Sequence, residues 1–306
     1  MTRLVPLLRR AGTLLLMPLS VVPFLLLGPQ IAESHRNFDR GQQFGGLPAP
    51  PVVPSAAELA RWQPLRPYAD RRVPVVAYPA TGVTRAALAR QMELLRRSGA
   101  RTISFHQYVR LGRGLPAGLP PRPVLVTFDG GRLETFRHAD KVLQRYGFRA
   151  TMFPLSGPVD DRDRDYLTWR ELHAMQRSGR WDVQPGAYRG GPRLTVAPTG
   201  QQGEFLAYLR YTRSAGRETF ADWQLRVSRD VFDAREAMVA HGFDAVAFSV
   251  PYGNYGQHGT NDPRIAAWMR TLLAAQFPVV LAGPSANRYQ VDGTTTADDL
   301  YRWLRR

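Results

Sequence analysis

One carboxylate in this chain stands where chemistry is commonly done. The run Val124-Leu125-Val126-Thr127-Phe128-Asp129-Gly130-Gly131 is apolar until Asp129 and then turns to glycine. β-branched and aromatic residues without polar alternation read as a strand buried on both faces. Asp129 then falls at the strand's carboxyl end, where α/β folds place reactive groups, and two glycines allow close approach. A carboxylate there could act as a general base. It could instead cap the turn or helix that follows. A second candidate is the loop Gly253-Asn254-Tyr255-Gly256-Gln257. Its amides, carbonyl and phenol are the mixture that stacks on and hydrogen-bonds sugars, which marks Asn254 and Tyr255 as binding candidates.

Other polar groups read as structural. Asp160, Asp161, Asp163 and Asp165 alternate with Arg162 and Arg164 and lack the glycine and glutamate of a calcium loop. His138 and Lys141 fit a helix surface. His106 opens a helix after its strand, and His173 and His241 sit in helices without partners. There is no serine nucleophile elbow and no phosphate loop.

The elements that must position Asp129 follow from periodicity. Strands are expected at 73–78, 102–105, 124–128, 150–154, 181–184, 245–250 and 278–282. Thr84 caps a helix with Leu88, Met92 and Leu95 on one face, stopped by Gly99. Further helices are expected at 133–146, ended by Gly147, at 168–178 from the capping box of Thr168 and Glu171, and at 221–241, 262–275 and 296–305. Strand–helix alternation of this kind argues for one parallel sheet, open or closed as a barrel.

The chain has 306 residues, no cysteine and a formal charge of +16. Disulfides, thiolate metal sites and a cysteine nucleophile are therefore excluded. Lys141 is the sole lysine, so the basic excess is arginine, scattered among acids in the manner of a solvated surface. Anionic glycans or lipid headgroups would be attracted to it. No recognition motif supports nucleic acid. Arg3, Arg9 and Arg10 precede an apolar run over 11–31, about the ~20 residues that cross a bilayer. The expectation is a signal anchor or signal peptide over 1–33, with the rest of the chain outside the cytoplasm, membrane-bound or secreted. Residues 34–72 read as a Pro-rich linker with a short helix over 56–62, and 73–306 as the folded domain.

The order of these segments resembles the polysaccharide deacetylases of carbohydrate esterase family 4, the NodB-homology domain. The resemblance rests on Thr127-Phe128-Asp129-Gly130-Gly131, the helix after it, the strand at 150–154, Leu167-Thr168-Trp169-Arg170-Glu171-Leu172, and Pro251-Tyr252-Gly253-Asn254-Tyr255. It spans about 73–303. It implies a distorted (β/α) barrel that removes acetyl groups from N-acetylated sugars with a divalent metal. Asp129 then matches the base, and Tyr252 the backbone amide for the oxyanion. Thr127 and Pro251 join Asn254 and Tyr255 as substrate-binding candidates. The positions implied for metal ligands are Gly130, Gly186 and Gly190, and Ser249 stands where an arginine is expected. No histidine follows His258 to serve as the acid. A hydrolytic zinc site needs about three protein ligands and an open position, while a lone carboxylate of pKa ~4 is a poor base toward free water. No metal ligand is assigned and the cofactor stays open. Two readings remain: N-deacetylation of a cell-envelope or exported glycan, or a catalytically inactive glycan-binding scaffold.

Overall fold

The computed structural model describes residues 47–67, 73–159 and 165–306. Pro48–Arg306 forms one compact unit. The expected anchor over 1–33 and most of the acidic run near 160 lie outside the described residues. Among the described residues no helix is long and apolar enough to cross a membrane.

In chain order, α1 (Ala56–Arg61) is followed by β1 (Val75–Tyr78), α2 (Arg85–Arg97), β2 (Arg101–Thr102), α3 (Phe105–Gly112), β3 (Pro123–Gly130) and α4 (Leu133–Tyr146). Next come β4 (Ala150–Pro154), α5 (Trp169–Arg177), β5 (Trp181–Val183) and four short strands, β6 (Arg193–Thr195), β7 (Gln202–Glu204), β8 (Tyr211–Thr212) and β9 (Gly216–Arg217). The chain ends with α6 (Phe220–Ala240), β10 (Ala247–Ser249), α7 (Ile265–Gln276), β11 (Val279–Leu281), β12 (Arg288–Gln290) and α8 (Ala297–Leu304).

Local chemistry sets these boundaries. Thr84 accepts from the Ala87 amide to start α2, and Thr168 with Glu171 closes a capping box on α5. Gly147 ends α4 in the left-handed conformation that a Cβ would strain. Ser104 accepts from the Gln107 amide, so the chain turns helical at Phe105 and the strand expected over 102–105 shortens to β2.

The sheet is parallel, with β12, β1, β3, β4 and β5 side by side and β2 pairing the start of β3. β10 and β11 form a separate parallel pair. The closed ring expected of a barrel is therefore not formed by backbone ladders. Between β5 and β10 the link is a side chain: Gln184 Oε1 accepts from the amides of Val246 and Ala247, both at 3.1 Å. One backbone bond, Ser249 N–H to Pro185 O at 3.2 Å, adds to it. β6–β7 and β8–β9 are antiparallel hairpins, absent from the sequence expectation, inserted after β5.

The core lies between sheet and helices. Trp223, Val227, Val231, Ala234 and Met238 of α6 are fully buried at helical spacing, with Phe248 and Met269 against part of that face. Part of the expected linker belongs to this body. Trp62 is 3% exposed and its indole donates to Asp298 of α8 at 2.8 Å, and the Leu65 amide donates to Ser98 O.

Candidate functional site

β3 carries Asp129 to its end, and the bend after it is made of Gly130 and Gly131 at φ +86° and +70°. The carboxylate lines a cleft of about 710 Å³ whose walls include Ser249, Pro251, Tyr252, Arg193 and Glu204. The Asp129 side chain is 18% exposed, neither sealed in the core nor tied to its own loop. Ser249, at the end of β10, donates from Oγ to Asp129 Oδ1 at 2.8 Å. Arg288, the first residue of β12, brings Nη2 to 3.8 Å from Oδ2. Three strands thus converge on one carboxylate. Burial pushes its pKa above the usual aspartate value, against the pull of the Arg288 charge and the Ser249 hydrogen bond.

One wall of the cleft is polar and aromatic. Tyr252 is half exposed and is the one non-glycine residue at positive φ (+58°) among the described residues. Backbone of this kind costs about 1–3 kcal/mol and persists where surroundings over-determine it. Here the Arg193 guanidinium lies 5.0 Å from the ring centroid, and Arg193 pairs with Glu204 at 3.0 Å. Asn254 Nδ2 donates to Glu204 at 3.3 Å. Hairpin β6–β7 is thereby fastened to the turn that presents Tyr252. Elsewhere on the cleft, Arg132 stacks on Tyr166 at 4.8 Å.

The remaining candidates fall elsewhere. Thr127 is completely buried in β3, where it pairs with Ala77 and Thr151, and its hydroxyl has no partner. Asn254 is buried and organises its own loop, accepting from the amides of Gly256 and His258. Tyr255 packs against the core around α6 and α7. These three do not line the cleft, whereas Asp129, Pro251 and Tyr252 do. Sequence reasoning missed Arg288, Arg193 and Glu204, all on three-residue strands whose mostly polar residues give no apolar run.

The glycine positions decide whether these residues fit a divalent metal. A Cβ on Gly130 would lie 2.5 Å from the Ala80 Cβ. On Gly186 it would meet Pro154 O at 2.8 Å, and on Gly190 Asp230 Oδ2 at 2.8 Å. Each is closer than real Cβ contacts allow, so the local packing is built around the absence of a side chain. Among the described residues no group of three His, Asp or Glu side chains could hold a metal ion. The described residues do not fit a divalent cation. The loop over 186–191 is held instead by Asp230 of α6, which accepts from the amides of Tyr188 at 3.1 Å and Arg189 at 2.7 Å. Burial lifts the Asp230 pKa to about 6, against those amides and Arg226.

The family model described as polysaccharide deacetylase matches residues 117–220. The fold is similar to a de-N-acetylase from Aggregatibacter actinomycetemcomitans, with a TM-score of 0.62 and 18% identity over 76% of this chain and 99% of that one. It is also similar to the BpsB deacetylase domain from Bordetella bronchiseptica, at TM-score 0.58 and 18% identity over 72% and 94%. A third likeness is the deacetylase PplD from Streptococcus pyogenes, solved with acetate, at TM-score 0.53 and 15% identity over 77% and 99%. At such identities the likeness is one of fold. No curated protein matches the sequence.

Proposed function

Because residues 117–220 match the polysaccharide deacetylase family and the fold is that of solved deacetylases, we propose that this protein recognises an N-acetylated glycan in the cleft above Asp129 without metal-dependent hydrolysis. The observation that carries this reading is an accessible carboxylate kept in place by two other strands, while the three glycines at the positions the resemblance implies for ligands are crowded by neighbouring atoms. Asp129, ionised, accepts the acetamido N–H of a sugar. Tyr252, half exposed and steadied by Arg193, offers a face for the ring.

A second reading has a specific observation behind it. A raised Asp129 pKa makes a stronger base than an ordinary aspartate, and the strained turn at Tyr252 is where the family resemblance places the oxyanion amide. On that reading the cleft deacetylates slowly. Titration calorimetry of the full chain with N-acetylchitooligosaccharides and their fully deacetylated counterparts, alongside an acetate assay, separates the two. Binding selective for the acetylated probe, weakened in Asp129→Asn and unaccompanied by acetate, is the expected result. Acetate release that vanishes in Asp129→Asn would establish the second reading instead. We also place the domain outside the cytoplasm, on the strength of the arginines that precede the apolar run 11–31; protease accessibility in intact cells tests this.

A further inference from the structure

Arg288 is a charged side chain that folding alone gives little reason to keep. It is 3% exposed, and of its donors Nη1 reaches Gly283 O at 3.0 Å. Nε and Nη2 have no hydrogen-bond partner. Burying a guanidinium with open donors is costly, and such orphaned groups call for an explanation beyond packing. The ionisable groups acting on it are Asp129 and Tyr108, which favour its charge against burial. An arginine stays protonated even so. The guanidinium also underlies the strained turn. A Cβ on Gly253 would lie 3.1 Å from Nη1, and Gly283 N–H donates to Gly253 O at 2.5 Å. A single group therefore abuts both the carboxylate and the backbone that presents Tyr252.

We propose that Arg288 is the resident cation of this site: its guanidinium keeps Asp129 ionised and aimed into the cleft, where the family resemblance implies a divalent metal, and makes the site metal-independent. Two independent observations meet here. Packing excludes side-chain ligands at Gly130, Gly186 and Gly190, and a positive charge already lies within ion-pair distance of Asp129. A guanidinium cannot activate water as a metal does, so the substitution retains orientation and charge while surrendering the usual nucleophile. Arg288 acts through Asp129 and is a positioning residue. The inference concerns the cleft of the proposed function but does not need a glycan to occupy it.

The test uses the full chain. Wild-type protein titrated with Zn²⁺ is expected to take up no stoichiometric metal, and its affinity for an N-acetylchitooligosaccharide is expected to be the same with EDTA or added Zn²⁺. Arg288→Met should weaken that affinity about tenfold, the scale of a charge-assisted contact, and move its pH midpoint upward. Arg288→Lys, which keeps the charge, should leave the midpoint near the wild-type value, a rescue that a purely steric role would not give. The double variant with Asp129→Asn should be no weaker than Asp129→Asn alone. Stoichiometric Zn²⁺ uptake abolished by Asp129→Asn would overturn the proposal, as would a wild-type pH profile in Arg288→Met. Where Arg288→Met does not fold, the Zn²⁺ titration and Arg288→Lys still decide. If no probe binds wild-type protein, the glycan reading fails, while Zn²⁺ uptake and the carboxyl ¹³C titration of Asp129 decide the role of Arg288 separately.

Discussion

Asp129 owes its character to neighbours far away in sequence. Ser249 is 2% exposed and its hydroxyl is spent on one oxygen of the carboxylate. Removing it in Ser249→Ala takes away a contact that favours the ionised form, so the Asp129 pKa rises further. Because binding requires the carboxylate, affinity for the acetylated probe should fall as pH drops through that pKa. In Ser249→Ala the fall should begin at higher pH, as read by calorimetry across a pH series. Asp129→Asn should cost tenfold or more at neutral pH, since a hydrogen bond to a charged acceptor is worth about 1.5–3 kcal/mol. A glycine carries a prediction too. Gly130→Asp supplies the ligand type that the resemblance implies, yet its Cβ would strike Ala80 at a φ of +86°. The expected outcome is a lower melting temperature and no gain in Zn²⁺ affinity.

Among the elements, α6 does more than fill the core, because Asp230 clamps the cleft loop from one buried position. Its pKa of about 6 lies above the unfolded value of about 3.9. A raised acid of this kind stabilises the fold fully below pH 4, and that contribution is lost as pH rises through 6. The stability of wild type relative to Asp230→Asn should therefore decline between pH 4 and pH 6, by an amount on the order of 3 kcal/mol. Thermal melts of both proteins over that range give the comparison. The longer elements were legible in the sequence because their signals are local. The caps at Thr84 and Thr168 and the stop at Gly147 fall where side-chain chemistry requires them. β6–β9 and β12 were not, since these short strands are mostly polar or glycine and carry no apolar run, unlike the equally short β10 and β11. Arg288 was illegible for the same reason, although it reaches Asp129 through the β12–β1–β3 sheet.

In the molecule as a whole, residues 61–65 ahead of β1 are part of the fold. Trp62 is buried with its indole bonded to Asp298, and the Gln63 amide and carbonyl both meet the Tyr301 hydroxyl. Trp62→Ala should cost about 3–5 kcal/mol, as for other buried aromatics cut to alanine, and show as a lower urea midpoint. The composition of 34–72 announces a spacer, and only the packing partners on α8, over two hundred residues later, make residues 61–63 structural. The junction between β5 and β10 has a dynamic corollary. Pro185 has no N–H to give to β10, so apart from the one bond from Ser249 N–H to Pro185 O a single amide oxygen pins the start of β10. Such a pin releases both backbone protons in a single event. In deuterium labelling, Val246 and Ala247 should exchange in concert and ahead of Val126 and Met152, marking the line along which this molecule breathes.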